Sequence, residues 1–73
     1  MADLIDEVRA RVAALLDLDP GEVAEDAHLP DLGLDSVQLM EIETMLRDAG
    51  ADVDVADLAE EQTLAAWRAL LAH

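Results

Sequence analysis

Leu4, Ile5, Val8, Val12, Leu15 and Leu16 recur at three- and four-residue spacing, as the apolar face of a helix does. The same period returns in Leu39, Ile42, Met45, Leu46 and Ala49, and again in Leu64, Trp67, Leu70 and Leu71. Asp3 is placed to cap the first segment. Asp19-Pro20-Gly21 is placed to end it, because Pro and Gly continue helices poorly. Residues 22–30 read as a long loop with one helical turn near Val23, and Val23 and Leu29 are expected to pin it to the core. The second helix is expected over residues 36–48, with Gly50 as its stop. Asp54 can cap a short third helix that carries Val55 and Leu58. The alternation Asp52-Val53-Asp54-Val55 also suits a strand, but a lone strand has no partner here. Thr63 is placed to cap the last helix, and Trp67, the one aromatic residue, is the expected core anchor. The fold class is therefore all-α. It is a small four-helix bundle of three main helices and a short third one, with a long loop between helices 1 and 2.

A chain of 73 residues makes one domain, 1–73, with room for a small core only. It has no cysteine, so neither a disulfide nor a thiolate metal site supports it. No apolar run approaches a membrane span, and Met1-Ala2-Asp3 does not begin a signal peptide, so the expected location is cytoplasmic. Eighteen acidic residues face four basic ones, all arginine, for a formal charge of −14. Nucleic acid and anionic membrane would repel such a surface, whereas partners with basic patches would be drawn to it. Crowding of so many carboxylates is expected to raise some of their native pKa values by mutual repulsion.

The stretch Asp31-Leu32-Gly33-Leu34-Asp35-Ser36 runs as a turn into the second helix, with Gly33 as the punctuation. Asp35 or Ser36 can cap that helix, and Gln38, three residues after Asp35, has the spacing of a capping box. On a helical wheel, Leu39, Ile42, Met45, Leu46 and Ala49 form the core face. Ser36, Val37, Met40, Thr44 and Arg47 fall on the opposite side. Two large apolar side chains thus stand beside a serine at a helix mouth, which suggests a partner surface. A phosphate on Ser36 would be electrostatically welcome there. The plainer alternative is that Asp35-Ser36 is an ordinary helix start.

Catalytic patterns are missing. Ser36 lacks a Gly-x-Ser-x-Gly setting, and His28 and His73 carry no motif that would make either its base. Asp52, Asp54 and Asp57 fail as a calcium loop, because Ala56 takes a ligand position and Asp57 that of the invariant glycine. No Gly-rich phosphate loop or dinucleotide fingerprint occurs. Intrinsic enzyme activity is not expected.

Taken together, Asp31-Leu32-Gly33-Leu34-Asp35-Ser36-Val37-Gln38-Leu39-Met40 resembles the phosphopantetheine attachment motif of carrier proteins, and the likeness runs over nearly the whole chain. The resemblance implies a non-catalytic carrier. Ser36 would receive 4′-phosphopantetheine covalently from coenzyme A through a phosphopantetheinyl transferase, with Asp35 as its motif neighbour. Val37, Met40, Thr44 and Arg47 would form the docking face. The arm would hold acyl groups as thioesters, loaded by an adenylating enzyme and passed to downstream condensing or tailoring enzymes. Gly33-Leu34-Asp35-Ser36-Val37, Val53-Asp54-Val55, and Thr63 followed by Trp67 look most like the aryl carrier domains of nonribosomal peptide and siderophore-type pathways. The implied cargo is aryl or aminoacyl, and because the domain starts at Met1 and ends soon after its last helix, a free-standing monomer is expected. The alternatives are an acyl carrier of fatty acid or polyketide synthesis, an unmodified acidic helical interaction module, and, more weakly, an acidic metal-binding protein.

Overall fold

The computed structural model describes residues 4–72. Over those residues the chain is helical and has no strand. The helices are α1 (Leu4–Leu16), α2 (Ser36–Asp48), α3 (Val55–Glu60) and α4 (Leu64–Leu71). Two 3₁₀ turns, Pro20–Glu22 and Leu29–Leu32, punctuate the long α1–α2 connection. α1 packs against both α2 and α4, and α2 packs against α3.

The periodic apolar residues divide between the buried core and a half-buried margin of Leu4, Leu15, Leu16, Met45, Leu70 and Leu71. Ile5, Val8 and Val12 of α1 meet Leu39, Ile42 and Leu46 of α2, Leu58 of α3, and Leu64 and Trp67 of α4, all buried. Ala13 joins them, although the apolar spacing had pointed to larger residues. Val23 and Leu29 are buried as expected and fasten the connection to the bundle. No polar or charged residue is buried among the described residues. Trp67 is fully buried, and its indole Nε1–H donates to the Leu58 carbonyl at 3.0 Å. That bond satisfies the ring's one donor and locks the end of α3 onto α4.

α1 stops at Leu16, before Asp19-Pro20-Gly21. Asp17 takes a left-handed conformation at φ 58°, and the Leu18 N–H reaches back to the Ala13 carbonyl at 2.8 Å. This is a Schellman-type stop, in which Asp tolerates the conformation that Gly usually supplies and half-buried Leu18 adds the apolar contact. Pro20 and Gly21 instead build the turn that precedes Val23. Ala49, assigned to the core face of α2, is exposed, because it lies at the helix C-cap where the chain turns toward Gly50. The cap proposed at Asp3 lies outside the described residues.

The other caps form as the residue types dictate. The Thr63 hydroxyl accepts from Ala66 N–H at 3.1 Å at the start of α4. Asp54 and Asp57 accept from each other's backbone N–H groups at 3.0 and 3.3 Å, closing the first turn of α3. The same region is tied to α2, because Glu43 Oε2 accepts from Val55 N–H at 2.7 Å.

Candidate functional site

The turn before α2 is built from both backbone and side chains. Gly33 closes the Leu29–Leu32 turn at φ 112°, a left-handed conformation that side chains disfavour. Its N–H donates to Pro30 O at 3.1 Å, and the Leu34 N–H donates to Leu29 O at 3.2 Å. Leu34 then turns inward and is buried, an anchor immediately ahead of the helix. Leu32 stays out.

Asp35 is the N-cap of α2, in extended conformation. Its Oδ1 accepts from Gln38 N–H at 2.8 Å, while Gln38 Oε1 accepts from Asp35 N–H at 3.1 Å. The capping box anticipated between these residues therefore forms, with Asp rather than Ser or Thr at its head. The Gln38 amide also donates to Leu15 O at 3.3 Å, fixing the mouth of α2 to the end of α1.

With Asp35 as cap, Ser36 is the first helical residue and is exposed. Its hydroxyl is not spent on capping. The first-turn N–H groups of Ser36 and Val37 have no acceptor within the helix, so this end of α2 carries partial positive charge. That partial charge would favour an anionic group at this position.

Val37 is 67 % exposed, Met40 55 % and Leu32 39 %; these are the large apolar side chains left open to solvent among the described residues. All three lie within four residues of Ser36 in the chain. Val37 and Met40 are neighbours on one helix face by their three-residue spacing. Thr44 and Arg47 are exposed on α2 as well, but both are engaged. The Thr44 hydroxyl donates to Met40 O at 3.1 Å, and Arg47 Nε donates to Val53 O at 3.2 Å. Arg47 thereby steadies the α2–α3 connection. Leu32 was not singled out from the sequence. It sits outside any periodic segment, and nothing in the order Leu32-Gly33-Leu34 says which leucine turns in.

Three surface hollows lie between helices: one lined by Leu4, Ile5 and Leu71, one by Ala51, Val53 and Leu70, and one by Ala10, Ala14 and Met45. Ser36 lines none of them. Among the described residues, no three His, Asp or Glu side chains are grouped to hold a metal ion. No helix of the described residues is long and apolar enough to cross a membrane.

One carboxylate on the α1–α2 connection organises its surroundings. Glu25 pairs with Arg68 of α4 through two contacts, Nε–Oε1 at 3.0 Å and Nη2–Oε2 at 3.1 Å, and Arg9 of α1 also donates to Oε2. The hydrogen bond from Arg68, with the charges of Arg68 and Arg9, holds the Glu25 carboxyl below its ordinary value of 4.5. The shift is opposite in direction to that expected from carboxylate crowding. Two of the four arginines converge here, so the local sign is reversed.

The chain is similar in sequence to known proteins over most of its length. The family described as a phosphopantetheine attachment site matches residues 6–71. The chain is 36 % identical over 66 residues to an isochorismatase of Bacillus subtilis, covering 90 % of this chain and 21 % of that protein. It is 41 % identical over 64 residues to the phenyloxazoline synthase MbtB of a Mycobacterium species, covering 88 % and 6 %. It is 42 % identical over 72 residues to the pyochelin synthetase PchE of Pseudomonas aeruginosa, covering 99 % and 4 %. The chain thus spans about a fifth or less of the length of these relatives. No solved structure matches it. An all-helical fold, a capped α2 with an open serine at its mouth and a family match over almost every residue lead to one conclusion: this chain belongs to the phosphopantetheine attachment-site family, non-catalytic carriers whose prosthetic group is 4′-phosphopantetheine.

Proposed function

We propose that Ser36 is the attachment residue and that residues 1–73 act as one monomeric, cytoplasmic carrier domain. The observation that carries this reading is the exposed Ser36 hydroxyl at the first position of α2, relieved of capping by Asp35 and surrounded in the chain by Leu32, Val37 and Met40. In the transfer, Ser36 Oγ forms a new bond to the phosphorus that carries the pantetheine half of coenzyme A. The bond from that phosphorus to the nucleotide half breaks, the adenosine bisphosphate leaves, and the hydroxyl proton goes to a base of the transferase. Once attached, the arm supplies a thiol on which acyl groups ride as thioesters.

The chain's own part is presentation. Asp35 and Gln38 fix the helix mouth, and Leu34 anchors the turn behind it. Val37 and Met40, with Thr44 and Arg47 farther along α2, form the docking face. That contact is small, and a small apolar contact with acidic surroundings suits brief visits to several enzymes. Those enzymes are a phosphopantetheinyl transferase, an adenylating enzyme, and condensing or tailoring enzymes downstream. At each of them, a tethered acyl group is presented at high effective concentration.

The cargo proposed is an aryl acid, with an amino acid second, in nonribosomal peptide-type metabolism. The pattern around Ser36 supports this, as does the likeness to a synthase named for a phenyloxazoline.

Incubation with coenzyme A and a promiscuous phosphopantetheinyl transferase tests the site. The intact mass should rise by one phosphopantetheine in the wild-type protein and stay unchanged in Ser36→Ala, which should remain folded. An unmodified wild-type protein under excess coenzyme A would defeat the assignment and favour the unmodified interaction module. Parallel loading of the modified protein by adenylating enzymes for aryl, amino and fatty acids tests the cargo. Loading by the fatty-acid enzyme alone would overturn the aryl reading and leave the carrier standing.

A further inference from the structure

We infer that Glu25 is a positioning residue for Ser36, holding the α1–α2 connection in the shape read by enzymes that act on this serine. The inference rests on the proposed role of Ser36. Its basis is a chain of contacts that begins at Glu25 and ends at the mouth of α2. The Glu25 carboxylate joins α1 to α4 through Arg9 and Arg68. Its backbone carbonyl accepts from Ala65 N–H at 2.9 Å, one of the N–H groups that α4 itself leaves unpaired. Four residues on, Leu29 N–H donates to Gln62 O at 2.9 Å, just ahead of the same helix. Leu29 O in turn receives Leu34 N–H, and Leu34 is followed by Asp35 and Ser36. The start of α4 is thus a platform on which the segment leading to Ser36 is laid, and the Glu25 carboxylate clamps it there.

The clamp is separable from the core. The buried residues are all apolar, and Val8 and Val12 of α1 share one core cluster with Leu64 and Trp67 of α4. Val23 and Leu29 remain as apolar anchors on either side of Glu25. Loss of the carboxylate should therefore loosen the connection without opening the bundle. Opening also has a local cost at Arg9, whose Nε is buried without a hydrogen-bond partner and whose charge Glu25 offsets. A free connection samples several shapes, and Leu32 and the turn before Ser36 move with it. If only the clamped shape is recognised, the apparent affinity of an enzyme falls in proportion to the clamped fraction.

Titrating the carrier against a phosphopantetheinyl transferase with saturating coenzyme A separates this role from a purely structural one. Glu25→Gln should raise KM for the carrier about three- to tenfold while kcat stays within about twofold, because the docked complex is unchanged. Arg68→Lys, which keeps the charge but loses the fork, should fall between it and the wild type. In the same Glu25→Gln protein, hydrogen exchange should accelerate at the Leu29 and Ala65 amides and not at Leu46. Faster exchange with an unchanged KM would show that the clamped shape is not read, and would overturn the inference. Unchanged exchange would show that no clamp exists, and would overturn it as well. If instead the wild-type protein accepts no phosphopantetheine, the Ser36 assignment itself fails, and this inference fails with it.

Discussion

Ser36 is held from two sides by structures of opposite kind. Ahead of it lies α2, a regular helix fixed by burial of Leu39, Ile42 and Leu46. Behind it lies the connection 17–35, which is irregular and fixed by isolated contacts: two buried side chains at Val23 and Leu29, a third at Leu34, and the polar clamp at Glu25. A helix distributes its support over a continuous face, so any one residue shares its load with neighbours along that face. A loop concentrates support at points, and between those points it can move. The serine stands at the junction, where the rigid element supplies orientation and the adjustable one supplies shape.

Truncation of the core should have the strongest effect. Leu46→Ala and Leu34→Ala each remove a buried leucine, and buried truncations cost about 2–5 kcal/mol. The part of that cost due to a cavity depends on how far the surroundings collapse. α2 is braced by α1 and α3, so Leu46→Ala should lie toward the upper end. The turn around Leu34 can settle inward, so Leu34→Ala should lie near the lower end. Urea unfolding of both variants measures this, and the reverse order would mean that the connection is as rigid as the helix.

A smaller effect is expected on the open face of α2. Val37→Asp and Met40→Asp place charge on side chains that are more than half exposed, so helicity and melting should change little. Loading by a cognate adenylating enzyme should fall by about tenfold or more, as when a central apolar contact of an interface is lost. Circular dichroism beside a loading assay checks both parts. Unfolding of either variant would mean that the open face carries structural load after all.

The two sides of Ser36 also differ in how well the sequence reveals them. The bounds of α2, its Asp35–Gln38 box, the Asp54 and Thr63 caps and the burial of Trp67 follow from residue types and helical period. These are local rules, read within a few residues. The stop of α1 at Asp17 was hidden, because Asp in a left-handed conformation competes with a nearby Pro-Gly signal that looks stronger. The second 3₁₀ turn, Leu29–Leu32, was hidden as well, since a single turn leaves no period to detect. Leu32 and the Glu25 clamp depend on which distant residues the fold brings near. Arg9 and Arg68 stand 16 and 43 residues from Glu25, and no spacing rule spans such separations.

The smallest expected effect is the pH response of that clamp, and its sign follows from the direction of the Glu25 shift. Arg68, by hydrogen bond and charge, and Arg9 lower the native pKa below the ordinary 4.5. Between the two values the unfolded chain binds more protons at this site than the folded one, so stability rises with pH across that window. The contribution is fully present above about 4.5 and is lost as pH falls through the lowered native value. Glu25→Gln has no such group to titrate. The gap in urea midpoint between wild type and Glu25→Gln should therefore be constant from about pH 7 to about pH 5.5 and should shrink below about pH 4.5. Added salt should narrow the same gap at neutral pH, because the carboxylate and both arginines are partly exposed and their attraction is screened. A gap that widens on acidification would mean that the arginines do not favour the charged form of Glu25. The connection would then be held by Val23, Leu29 and Leu34 and by its backbone bonds to the start of α4, without help from the carboxylate.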